Sequence, residues 1–166
     1  ACMLLLIETS GSSAAVALSE EGNILSGEEN PQQKEHAAWL HPAIKRVLAA
    51  GRKGMGDLQA VAVSAGPGSY TGLRVGMATA KGICYAMNIP LITVNTLELM
   101  ATAMVPLAEK EKALICPMID ARRNEVFTAV YTAEMKEIQA PRDLILDKTS
   151  FEDVLKGNRV IFSGSG

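Results

Sequence analysis

The sequence is poor in histidine and cysteine, with 2 and 3 of them among 166 residues. The cysteines, Cys2, Cys84 and Cys116, are odd in number and widely spaced, which argues against a disulfide framework and against a zinc ligand set. Cys84 falls in a helical pattern and Cys116 in a strand pattern, so both read as buried free thiols of a reducing cytoplasm. His36 and His41 lie five residues apart on one helical pattern, about 140° apart in projection. Two ligands of one metal on a helix need a spacing of three or four, so a capping or surface role is the expectation and no metal site is predicted. A basic surplus is also missing: the formal net charge is −2. Proteins that grip nucleic acid alone are driven by phosphate neutralisation, so any link to RNA is expected to run through a partner. No run reaches the roughly 18 apolar residues of a membrane span. The run Met3–Ile7 is of strand length and meets Glu8 with no basic region before it, so it does not read as a signal peptide, and a cytoplasmic location is expected.

What is present is an ordinary globular composition, 48% hydrophobic and 20% charged, sufficient for one full core or two small lobes. Met3–Glu8 is a continuous apolar strand of the kind buried on both faces. Ser13–Ser19 and Ile24–Glu28 follow as strands joined by the turn chemistry of Glu20-Glu21-Gly22-Asn23. Glu35–Ala50 has apolar residues at Ala37, Leu40, Ile44, Val47 and Leu48, one face of a helix. Gln59–Ala65 then reads as a strand, Thr71–Met87 as a helix ended by Asn88 and Pro90, Pro90–Val94 as a strand and Thr96–Leu107 as a helix. The order β-β-β-α-β-α-β-α predicts a mixed sheet covered by helices, antiparallel at one side and parallel at the other. After Glu109 the pattern restarts: Ala113–Ile119 leads to Asp120, Glu125–Thr132 follows, and Glu134–Ile138 is read as carrying the turn into a third strand. Placing Ile7-Glu8 over Ile119-Asp120 sets Ala14–Leu18 over Val126–Val130, an internal repeat that implies two related lobes, residues 3–108 and a partial second lobe at 109–166. Ala1-Cys2 reads as an expression scar, and the ending Phe162–Gly166, a strand and a turn, as a truncation that leaves the second lobe incomplete.

Between the fourth strand and the second helix stands Gly66-Pro67-Gly68-Ser69-Tyr70-Thr71-Gly72. Such a loop can make a tight turn, cap the helix through Ser69 or Thr71, or hold an anion on free amides. It has neither the lysine of a P-loop nor the spacing of a dinucleotide fingerprint. Beyond it Gly72, Gly76 and Ala80 recur every fourth residue, with Gly82 nearby. Each helical glycine costs roughly 1 kcal/mol against alanine, a cost offset only where a neighbour packs closely. That neighbour is either another helix of this chain or a partner's helix.

The run Ser64-Ala65-Gly66-Pro67-Gly68-Ser69-Tyr70-Thr71-Gly72-Leu73-Arg74-Val75-Gly76 closely resembles the signature of the TsaB (YeaZ) family. Ile7-Glu8-Thr9-Ser10 resembles its first-strand motif, and Asp120-Ala121-Arg122-Arg123-Asn124-Glu125-Val126-Phe127 its second-lobe motif. The resemblance runs from Met3 to Gly166. It implies an α/β, actin-like, ribonuclease-H-like (ASKHA) fold of two related lobes. It also implies a non-catalytic subunit that pairs with the catalytic paralogue TsaD and the small ATPase TsaE to attach threonylcarbamoyl to N6 of adenosine 37 in tRNA. Self-association as a homodimer is implied as well, with tRNA reached only through the complex.

On this reading the partner interface falls on the first two helices, at Trp39, Leu40, Gly72, Leu73, Gly76, Met77 and Ala80. The family has aspartate where Glu8 stands, and the longer side chain alters any metal geometry. Arg122 and Arg123 replace the small residues that would let backbone close on phosphate, so Glu8, Asp120, Arg122 and Arg123 are candidate anion or partner contacts. No cofactor is expected in this subunit, and nucleotide only at the interface of the complex. The competing readings are an actin-like ATP-dependent phosphotransferase, resting on fold and the two acids, and a metal-dependent glycoprotease-like peptidase.

Overall fold

The computed structural model describes residues 2–32 and 36–166; the expected helix start at Glu35 and the side chain of His36 lie outside the described residues. The chain divides into two compact units, Ala1–Asn95 and Thr96–Gly166.

The first unit contains strands β1 (Met3–Glu8), β2 (Ala14–Glu20), β3 (Asn23–Asn30), β4 (Ala60–Ser64) and β5 (Leu91–Val94), with helices α1 (His36–Ala50) and α2 (Tyr70–Met87). The sheet order is β3-β2-β1-β4-β5, with β1 antiparallel to β2, β2 antiparallel to β3, and β1, β4 and β5 parallel. The continuous apolar run puts β1 at the centre, where Met3, Leu5 and Ile7 face a core shared with Leu40, Ile44, Val47 and Leu48 of α1. Those helical residues are four of the five in the stripe read from the sequence; the fifth, Ala37, is exposed. Asn88 takes the left-handed conformation at the end of α2, and the amide of Ile89 donates back to the Cys84 carbonyl at 3.1 Å.

The second unit contains α3 (Thr96–Glu111), β6 (Ala113–Arg122), β7 (Glu125–Tyr131), β8 (Glu137–Ile145), α4 (Glu152–Leu155) and β9 (Arg159–Gly164), in the sheet order β8-β7-β6-β9. This repeats β3-β2-β1-β4 strand for strand in order and direction, the ribonuclease-H-like plan of actin-like proteins. Two expectations need correction. The boundary lies at Asn95/Thr96, not between residues 108 and 109, because Leu97, Ala101 and Ala108 of α3 are buried with Ile115, Ala129 and Tyr131 of the second sheet. The repeat overlay is also one residue out in its second strand: Glu8 faces Ala15 while Asp120 faces Val126, so Ala15, not Ala14, is the counterpart of Val126. The cause is the second turn, which joins Arg122 to Glu125 across only Arg123 and Asn124, with a bulge between Asp120 and Arg122.

All three cysteines are free, and Cys84 and Cys116 are buried. Burial pushes both thiols above the ordinary cysteine range, which suppresses the reactive thiolate. Among the described residues no helix is long and apolar enough to cross a membrane.

The only tryptophan sits where α1 meets β3. Trp39 Nε1 donates to Glu28 Oε1 at 3.0 Å, and Arg46 Nε donates to Glu28 Oε2 at 2.8 Å. The Arg46 hydrogen bond holds the Glu28 carboxyl below its ordinary value of 4.5. A lowered folded value means the contribution is complete above the unfolded value and is lost as pH falls through the folded one. Tryptophan emission is therefore expected to change in an acid titration below 4.5, and Glu28→Gln to remove that step. An unchanged titration in the variant would detach the step from Glu28.

Candidate functional site

The signature loop is a structural turn built against the end of β1. The Ser69 amide donates to the Ser10 carbonyl at 2.7 Å, and Ser69 Oγ caps α2 by accepting from the Gly72 amide at 3.3 Å. Two amides that a phosphate cradle would offer are thus already taken. Gly66 and Gly68 both have positive φ, 109° and 155°, and Gly66-Pro67 is cis.

Glu8 is engaged in the same joint. Its Oε1 accepts from the Ser10 amide at 2.6 Å, from Ser10 Oγ at 2.5 Å and from Ser64 Oγ at 3.0 Å, tying the ends of β1 and β4 together. Oε2 is buried without a hydrogen-bond partner among the described residues. Through Oε1 the carboxyl acts as a clamp between the ends of β1 and β4.

The small-residue face of α2 points into its own unit. Gly72, Gly76 and Ala80 are buried, and Thr9 Oγ1 donates to the Gly72 carbonyl at 2.7 Å. A Cβ on Gly72 would overlap the main-chain oxygen of Thr9, and one on Gly76 would overlap Thr9 Oγ1 and meet Val63. The neighbour that the glycines admit is therefore the end of β1, not a second helix of either kind. Leu40, 0% exposed, is likewise core. Four of the seven expected interface residues, Leu40, Gly72, Gly76 and Ala80, are thus unavailable to a partner. Trp39 is half-buried against the core and bonded to Glu28.

Leu73 and Met77, the other two, do reach the surface. They line a shallow groove of about 520 Å³ with Ser64, Ala65, Tyr70, Arg74, Ala78 and Lys81 along the outer face of α2. The Arg74 guanidinium lies 4.3 Å from the centre of the Tyr70 ring. Tyr70 is 69% and Tyr85 92% exposed. A second depression, of about 360 Å³, opens between α1 and α2 among His41, Gly82, Ile83 and Ala86. Sequence reasoning missed Arg74, Ala78, Lys81 and Tyr85 as surface. Their signal was recurrence at three and four residues from Tyr70 onward, on the side of α2 away from the glycines.

In the second unit Asp120 Oδ1 accepts from the Arg122 amide at 2.7 Å, which shapes the hairpin. Arg122, Arg123 and Asn124 have φ of 73°, 56° and 61°, so Arg123-Asn124 forms a two-residue turn of the primed type. Asn124 is tied down by Leu146, whose amide donates to its carbonyl at 2.8 Å. Both arginine side chains are exposed and make no ion pair among the described residues. His41 is exposed, and among the described residues no group of three His, Cys, Asp or Glu side chains is placed to hold a metal.

Comparison with known proteins agrees with this geometry. The family described as TsaD, tRNA N6-adenosine threonylcarbamoyltransferase, matches residues 23–160. The tRNA threonylcarbamoyladenosine biosynthesis protein TsaB of Bacillus subtilis (strain 168) is 33% identical over 128 residues, which is 77% of this chain and 54% of that protein. Its namesake from Haemophilus influenzae is 36% identical over 124 residues, 75% of this chain and 51% of that protein. The chain thus spans about half the length of the curated relatives it matches. Among solved structures, YeaZ from Pseudomonas aeruginosa superposes with a TM-score of 0.79 at 24% identity, covering 93% of this chain and 79% of that one, which establishes the shared fold. The chain belongs to the family described as TsaD, tRNA N6-adenosine threonylcarbamoyltransferase, and is similar to its TsaB (YeaZ) relatives.

Proposed function

We propose that the chain is a non-catalytic scaffold subunit in threonylcarbamoylation of N6 of adenosine 37 in tRNA, pairing with a catalytic TsaD homologue and working with the TsaE ATPase. The observation that carries this reading is the outer face of α2, a largely apolar groove lined by Leu73, Met77 and Ala78 beside strongly exposed Tyr70, with exposed Tyr85 further along the same helix. Surfaces of that character fit association, and aromatic residues are frequent anchors in interfaces. The joint around Glu8, Ser10 and Ser69 supports the non-catalytic part, because Glu8 Oε1, the Ser10 amide and hydroxyl and the Ser69 amide are engaged in holding the fold. In this reading the subunit carries no cofactor of its own, nucleotide binds only at the joint interface, and tRNA is reached through the partner. The chain then acts in the cytoplasm, and its homodimer when alone is a lesser use of its surface.

Depletion of the protein followed by nucleoside analysis of bulk tRNA is expected to show loss of threonylcarbamoyladenosine, and purification of the chain to bring the TsaD homologue with it. Undiminished modification in depleted cells would end this reading. Stoichiometric Mg-ATP binding by the isolated chain would favour a phosphotransferase instead.

A further inference from the structure

Neither α1 nor α2 contains an aspartate or glutamate, although the chain has 18 acidic residues and a net charge of −2. The cations on these helices are Lys45, Arg46, Arg74 and Lys81. Arg46 is satisfied by Glu28. Arg74 and Lys81 are exposed on the border of the α2 groove, and neither makes an ion pair among the described residues. Asp57, next to Met55 of the second depression, is turned to the Gly54 amide at 2.7 Å.

A partner that covers Leu73, Met77 and Ala78 takes water from these two cations. A charge desolvated without a counter-charge costs several kcal/mol, about the scale of a whole interface anchor. A second copy of the chain, laid face to face here, brings Arg74 and Lys81 toward the same two residues and supplies no carboxylate from either helix. We infer that the partner docking on this face presents carboxylates opposite Arg74 and Lys81, and that this charge pattern selects it over a second copy of the chain. The inference rests on the pairing proposed above and names the chemistry of the partner. RNA fits less well, since two cations around an apolar floor release few counterions and leave the floor uncovered.

The test compares two equilibria, the chain with the TsaD homologue of the same genome and the chain with itself, by sedimentation in about 0.1 M and about 1 M salt. Over that range the screening length falls from about 10 Å to about 3 Å. Opposite charges predict that the heteromeric complex weakens about tenfold or more with salt while self-association tightens. Arg74→Gln combined with Lys81→Gln, at exposed positions that leave the melting curve unchanged, should weaken the heteromer about tenfold at low salt and tighten the homomer. A heteromer of equal affinity in both salts and in the double variant would overturn the inference while leaving the pairing intact. No heteromer under any condition would remove the pairing reading and the inference with it. Binding of an unmodified tRNA transcript that the double variant loses would assign the face to RNA and overturn it as well.

Discussion

Alanine at Gly72 or Gly76 is expected to lower the thermal midpoint by roughly 10 °C, whereas alanine at Gly82 of the same helix raises it slightly. The three substitutions add one methyl group each, so helix propensity favours all of them by about 1 kcal/mol. Their surroundings differ. At Gly72 the new Cβ meets the main-chain oxygen of Thr9, at Gly76 it meets Thr9 Oγ1, and at Gly82 it meets nothing within 4 Å. Overpacking a tight site costs about 1–3 kcal/mol and sometimes more, and 3 kcal/mol corresponds to about 6–12 °C in a chain of this size. The two buried sites separate further in a double variant. Thr9→Ala removes Oγ1 and is expected to rescue much of Gly76→Ala, but not Gly72→Ala, where the obstacle is backbone. Thermal unfolding of the set decides it; equal effects at all three glycines would mean that α2 does not sit on β1 as described. Bulky residues at Gly72 and Gly76 therefore report on folding and cannot report on partner binding.

The element order of the first unit was legible because its signals are local and strong: a five-residue apolar run in β1, the Glu20–Asn23 turn, and the helical stripe of Leu40, Ile44, Val47 and Leu48. The repeat was legible in outline because an apolar run leads into an acid in both β1, at Glu8, and β6, at Asp120. What lay beyond reach has physical causes. The start of β8 was legible near Glu134–Ile138 but its extent was not: it is a strand at the edge of its sheet, mostly exposed, and carries Pro141 and several charges, so it has no buried face to alternate against. α4 is four residues long, too short for a periodicity. The glycine face of α2 was legible as a close contact but not its neighbour, since small residues admit a strand end as readily as a helix. Thr9, the residue that fills the space, stood in the first-strand motif, but nothing in the sequence tied it to the glycines of α2. The surface side of α2 was hidden by the same glycines, which drew attention to the opposite face.

That surface side is where a single substitution separates folding from pairing. Ala78 is exposed on the groove floor, one turn after Arg74 and three residues before Lys81. In Ala78→Glu the new carboxylate stands at i+4 from Arg74 and i−3 from Lys81, so it gains helical ion pairs of about 0.2–0.5 kcal/mol each and the isolated chain should melt at or slightly above the wild-type temperature. The same carboxylate occupies the strip that Leu73 and Met77 offer to a partner, and it neutralises within the chain the two cations inferred to meet the partner's acids. Closing an apolar interface over it leaves a charge without water, at a cost of several kcal/mol. Affinity for the TsaD homologue is therefore expected to fall about a hundredfold or more, equivalent to about 2.7 kcal/mol. Leu73→Ala, which removes contact without adding charge, should produce a smaller loss. Calorimetric titration beside a thermal melt measures both quantities. Retained affinity in a well-folded Ala78→Glu chain would move the docking surface off α2, since no complex that covers the groove can leave that carboxylate in water.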